Sequence, residues 1–78
     1  MQRGAAWVVT AGDGTWRVRT ITAAGAVKVY RCPGCDHEIA VGMPHVVVWP
    51  DTAGEGLVAD RRHWHTPCWN ARARRFPR

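Results

Sequence analysis

Cys32-Pro33-Gly34-Cys35 and, twenty-nine residues further on, His65-Thr66-Pro67-Cys68 decide how this chain is read. The two quartets use all three cysteines of the 78-residue chain and one of its four histidines, spaced as C-x2-C and H-x2-C. Three thiolates and one imidazole are a common closed donor set for structural, tetrahedral Zn2+. Two residues between ligands let a tight turn aim both side chains at one ion. Pro33 presets the first turn, and Gly34 is expected to supply a backbone conformation other residues resist. In the second pair Thr66 reads as a helix N-cap and Pro67 as the first helical residue. Cys68 would then project from the first turn of a helix. The expected metal ligands are therefore Cys32, Cys35, His65 and Cys68, holding one structural Zn2+ per chain.

A knuckle and a helix N-terminus gripping one metal is the layout of a treble-clef-like finger. Two other readings of the cysteines compete. A redox dithiol at Cys32 and Cys35 would need a βαβ setting, and nothing in the chain reads as βαβ. A disulfide framework would leave one of three cysteines over, and no secretory signal is legible. His63 stays open as a rival ligand to His65, because residues two apart in a strand point the same way. His37, His45 and His63 otherwise read as surface groups or as neighbours of the ligand set.

A chain of 78 residues allows one domain with a small core, the kind that often needs a staple. The expected division is a β-meander over 1–31, then a zinc-binding core with a basic C-terminal helix over 32–78. The formal charge of +5 is unevenly placed: residues 1–59 are neutral, and the surplus comes from Arg61, Arg62, Arg72, Arg74, Arg75 and Arg78 against Asp60. Ten of the eleven basic residues are arginine, which suits bidentate contact with phosphate and stacking on bases. No apolar run approaches the roughly 20 residues of a membrane span. Reduced thiols, zinc and no export signal point to the cytoplasm.

Along the chain, Trp7–Thr10 and Trp16–Thr22 read as strands around an Asp-Gly turn. Val27-Lys28-Val29-Tyr30-Arg31 alternates and is expected as a third strand leading into the knuckle. Trp7 and Trp16 are expected to pack across the strands, and Arg17 and Arg19 to form a solvated face. His45-Val46-Val47-Val48-Trp49 is a continuous apolar run, the mark of a strand buried on both faces. Leu57-Val58-Ala59 would pair back against it. Thr66 to about Phe76 fits a helix, with Trp69, Ala73 and Phe76 on one face. The fold class expected is small α+β: antiparallel β-hairpins plus a C-terminal helix around one zinc.

The C-x2-C and H-x2-C pairs, set about thirty residues apart, have the spacing of the zinc fingers of poly(ADP-ribose) polymerases, and residues 30–70 resemble that family beyond the ligands. Ile39 and Gly42 follow the knuckle as an isoleucine and a glycine do there. The apolar strand, the variable loop at 51–56, Trp64 before the histidine and Trp69 after the last cysteine also match. His45 stands where the family often has arginine, and His63 where a second aromatic is usual. Such fingers contact backbone phosphates at DNA ends and breaks and stack loop residues on exposed bases, so the resemblance implies nucleic-acid binding, with DNA the expected form.

On these grounds Arg61, Arg62, Arg72, Arg74 and Arg75 are expected to meet phosphates, and His45 is expected to contact one. Trp49, Leu57 or a residue near Gly54 would cover an exposed base. The competing expectation is a zinc-stabilised protein-interaction module of LIM or treble-clef type, because five tryptophans leave room for an exposed aromatic anchor. No enzymatic activity is expected, since four protein ligands leave no position for an activated water.

Overall fold

The unbroken apolar run after Pro44 becomes the inner strand on which the rest is built. In the computed structural model, which describes residues 6–51 and 61–72, the elements are β1 (Ala6–Ala11), β2 (Gly14–Ile21), β3 (Tyr30–Arg31), β4 (Glu38–Ile39), β5 (His45–Pro50), β6 (Arg62–Trp64) and α1 (Thr66–Asn70). One antiparallel sheet has the order β1-β2-β5-β6, and β3 pairs with β4 in a small second ribbon. The protein is thus a small α+β fold with antiparallel strands and a short C-terminal helix. No helix among the described residues is long and apolar enough to cross a membrane.

Strand alternation sorts the sheet into two faces. Val18, Val46, Val48 and Trp64 turn toward the knuckle and helix, where they bury with Cys32, Ile39 and Trp69. Arg17, Arg19, His45, Val47, Trp49 and His63 occupy the other face. Val47 and Trp49 are buried there too, which explains why β5 shows no apolar–polar alternation.

Several strand expectations change. Val27 and Val29 are exposed, and only Tyr30–Arg31 forms a strand, paired with Glu38–Ile39 rather than with β2. The third strand of the sheet is β5, paired to β2 with Val18 opposite Val48. Trp7 and Trp16 do stand across the strands from apolar residues, opposite Val18 and Val9, and Trp16 also meets Trp69 edge-to-face, with ring centroids 6.1 Å apart. Residues 1–5, the 52–60 loop with Gly54 and Leu57-Val58-Ala59, and residues 73–78 with Arg74 and Arg75 lie outside the described residues, so the expected Leu57–Ala59 hairpin is not addressed. The described partner of β5 on that side is β6.

Helix α1 begins one residue earlier than its sequence suggests. His65 takes the N-cap position with no side-chain capping bond, Thr66 opens the helix, and proline lies in the first turn. The correction is useful to the site, because it makes a ligand the hinge between β6 and the helix.

Candidate metal centre

The first ligand pair sits on a tight turn between β3 and β4. The Cys32 carbonyl accepts from the Asp36 N–H at 2.8 Å, and the Cys32 N–H donates to the His37 carbonyl at 2.9 Å. The left-handed residue of this turn is Asp36, with φ 62°, and not Gly34. Gly34 serves close approach instead. A Cβ there would stand 2.9 Å from Trp64 Cζ3 and 3.1 Å from Cys68 Cβ. Neither neighbour is a flexible chain end. Gly34→Ala is therefore expected to lower stability by about 1–3 kcal/mol through overpacking and to weaken metal retention. Thermal unfolding and competition with a chromogenic chelator check it, and wild-type values in both would show that the knuckle can move away from Trp64.

The second pair comes from the β6–α1 junction. One donor atom from each of Cys32, Cys35, His65 and Cys68 lies within 4.8 Å of the others. The His65 Nδ1 atom is 3.3 Å from Cys35 Sγ and 3.9 Å from Cys68 Sγ. With bonds of about 2.3 Å to sulfur and about 2.0 Å to nitrogen, a tetrahedral ion puts sulfur and nitrogen about 3.5 Å apart. The observed edges bracket that distance, so the four residues can hold one metal ion. The His65 N–H also donates to Cys32 Sγ at 3.4 Å.

Burial pushes the Cys68 thiol up, and the neighbouring Cys35 and Cys32 sulfurs push it further, to about 11. Burial acts to raise Cys32 as well, but backbone N–H groups of His65, Cys35 and Gly34 outweigh it and bring that thiol down to about 7. Three thiols this close cannot all ionise without a cation among them. A bound cation removes that repulsion and fixes all three as thiolates.

His63 is not the ligand. Its Nδ1 lies 2.8 Å from His45 Nε2, and Tyr30 stacks on its ring at 3.5 Å. His45 Nδ1 donates to the Met43 carbonyl at 2.8 Å, so in the neutral pair His45 Nε2 accepts from His63. Burial, with His45, Arg61 and Lys28 nearby, lowers the His63 pKa to about 4. Tyr30, stacked on His63 and tilted against His45, ties the knuckle ribbon to the sheet.

Three residues expected at a nucleic acid are buried. His45, at 1% exposure, is committed to Met43 and His63. Trp49, at 3%, lies between the guanidiniums of Arg61 and Arg19, at 4.7 and 5.8 Å from its ring. Arg72, at 6%, stacks on Trp69 at 3.5 Å and pairs with Asp13 at 3.0 Å. None of the three presents its polar group to a phosphate. Arg61 and Arg62 lie at β6, Arg62 exposed and Arg61 half-buried.

A family model described as Rv1322 family protein matches residues 7–70, a stretch that contains all four ligands. The chain belongs to the Rv1322 family. It is 63% identical over 62 residues to "Uncharacterized protein Rv1322" of Mycobacterium tuberculosis, and equally to "Uncharacterized protein Mb1356" of Mycobacterium bovis. The match covers 80% of this chain and 63% of each relative's length. No solved structure matches.

Within this family member, Asp13 is the residue the sequence conceals. It reads as a turn residue, yet its carboxylate accepts from Arg72 Nε at 3.0 Å and from Trp16 Nε1 at 3.1 Å. Burial acts to raise its pKa, but those hydrogen bonds outweigh it and hold the carboxyl below its ordinary value. The partners are 59 residues apart, and nothing local marks the pair.

Proposed function

We propose that the protein is a zinc-dependent nucleic-acid-binding module, with DNA the expected ligand. The observation that carries this reading is the placement of arginine at the β6 edge. Arg62 opens that strand and Arg61 precedes it, lying over Trp49 on the face that carries Arg17 and Arg19. Arg17 is partly neutralised by Asp51 at 2.7 Å. The likeness of the ligand spacing to poly(ADP-ribose) polymerase fingers adds weight to the reading. Zinc suits the site because three sulfurs and an imidazole nitrogen match its preferred donors. A closed set of four ligands favours a structural ion over a catalytic one, and reduced thiols suit a cytoplasmic setting.

The test is a salt titration of labelled DNA and RNA by fluorescence anisotropy. Arg19, Arg61 and Arg62 on three phosphates would give a slope near −3, or roughly a 40-fold loss of affinity between 50 and 200 mM salt. Arg61→Ala should reduce that slope by about 1. Absence of binding at low salt rejects the reading.

A second reading has its own observation. At the opposite sheet edge, Trp7 and Val8 are 45% and 49% exposed. An aromatic on a strand that is an edge among the described residues suits a protein partner. Partner capture that survives nuclease treatment and is lost in Trp7→Ser would favour it.

A further inference from the structure

The two edges of the main sheet are not guarded alike. Among the described residues those edges are β1 and β6. Natural edge strands avoid pairing with a further chain by carrying charged side chains, proline or a bulge. β6 and the residue before it read Arg61-Arg62-His63-Trp64, so that edge carries charge. β1 reads Ala6-Trp7-Val8-Val9-Thr10-Ala11, with no charged residue and no proline. It pairs with β2 in unbroken register, without a bulge. Trp7 and Val8 stand exposed along it.

The peptide groups of β1 fix how a strand would add there. The β1–β2 ladder closes at the Ala11–Gly14 pair. Mutually bonded pairs alternate along an antiparallel ladder, so Ala11, Val9 and Trp7 turn their N–H and C=O groups to β2. Ala6, Val8 and Thr10 turn theirs away from it. A second β1, related by a twofold axis through Val8 and normal to the sheet, answers those groups one for one. Val8 exchanges bonds with Val8 of the second copy, and Ala6 exchanges them with Thr10. The same register sets Trp7 opposite Val9 of the second copy, and an aromatic facing a β-branched residue is a favourable cross-strand pair. The strand is thus complementary to itself, as a twofold interface requires.

Charge permits this partner. Residues 1–59 sum to zero, and the whole +5 surplus lies after them. In a joined sheet the two β2 strands would stand three strand spacings apart, about 14 Å. That exceeds the screening length of about 8 Å at physiological salt. Arg17 of β2 is in any case paired with Asp51. We infer that two copies of the chain join edge to edge through β1, antiparallel about Val8, into one continuous sheet. The inference rests on the edge-strand reading of Trp7 and Val8 given above and names a second copy as the partner. An axis normal to the sheet also keeps like faces together, so Arg17 and Arg19 of both copies share one side.

The test is sedimentation equilibrium of the metal-loaded full chain from micromolar to millimolar concentration. A species of twice the 8.7 kDa chain mass is expected. Amide hydrogen exchange on the same samples locates the seam. The Val8 and Thr10 amides should be protected in the dimer and lose that protection on dilution, while those of Trp7 and Val9 stay protected throughout. Val8→Lys sets like charges opposite each other on the axis and is expected to be monomeric, with native circular dichroism and its metal retained. Thr10→Pro removes an outward N–H and no bond to β2, so it too should be monomeric. The exchange measurement needs no substitution, so it decides even if a variant fails to fold. A monomer at every concentration, with Val8 and Thr10 exchanging as open amides, overturns the inference. A dimer that Val8→Lys leaves intact also overturns it, because the copies would then meet elsewhere. A monomer that still captures a nuclease-resistant partner through Trp7 overturns self-pairing and leaves the edge-strand reading standing. The mass is read without nucleic acid, so the outcome of the salt titration does not bear on it.

Discussion

Stripping the metal with a chelator is expected to collapse the tertiary structure, with loss of the near-ultraviolet tryptophan signal and of most sheet content. Structural zinc in small fingers supplies about 10–16 kcal/mol of apparent binding energy, against a total stability of about 5–15 kcal/mol for a domain. The reason is visible in the core. Cys32, Ile39 and Trp69 bury against Val18, Val46, Val48 and Trp64, and they come from the knuckle and helix that an ion at Cys32, Cys35, His65 and Cys68 would join. Without the ion those two segments lose their shared anchor. The sheet that remains then has Val18, Val46, Val48 and Trp64 without cover on one face. Cys68→Ala should behave like the chelated protein. His65→Cys should retain one metal per chain and the fold, because four thiolates also close a zinc site. His63→Ala should leave the metal content at one. Elemental analysis and circular dichroism decide the matter. A native spectrum with no metal per chain would overturn this account of the fold.

Trp69→Ala is expected to cost about 3–5 kcal/mol, the range for deleting a large buried aromatic. In a domain of this size that lowers the melting temperature by at least about 12 °C. Trp69 is 5% exposed and meets Trp16 and Trp64, while its ring carries the Arg72 guanidinium at 3.5 Å. Its removal takes away two edge contacts and leaves a buried cation without the ring it stacks on. Trp69→Phe should recover part of the loss. The measurement is thermal unfolding at fixed, saturating zinc, since ligand concentration shifts the midpoint. A change under about 1 kcal/mol would mean the indole is not packed as described.

The ligand set was legible because metal geometry acts locally: two residues between donors are enough to specify each half. The long gap between the pairs needed only the chemistry of the four side chains to be bridged. β5 was legible as a strand for a related reason, since an unbroken Val-Val-Val-Trp run demands cover on both faces. Pairing was not legible. β5 joins β2 and β6, and the alternating Val27–Arg31 segment stays mostly outside the sheet because its ladder partner is the far side of the knuckle. Arg72 misleads for a similar reason. A late helical arginine reads as a dipole or phosphate group, and only the fold brings Asp13 and the Trp69 ring to it. His45 was expected at a phosphate and is buried because His63 and the Met43 carbonyl satisfy both ring nitrogens.

An ion held by the four residues would close a circuit that the ribosome completes late. Cys35 and Cys68 are thirty-three positions apart, so at ordinary synthesis rates the first two sulfurs wait roughly 2–7 s for the last. Throughout that interval they form an open dithiol. An oxidising surrounding would seal them to each other before the histidine arrives, and a seal made then would shut the metal out. The redox state at the moment of translation would then decide how much of the protein takes up metal.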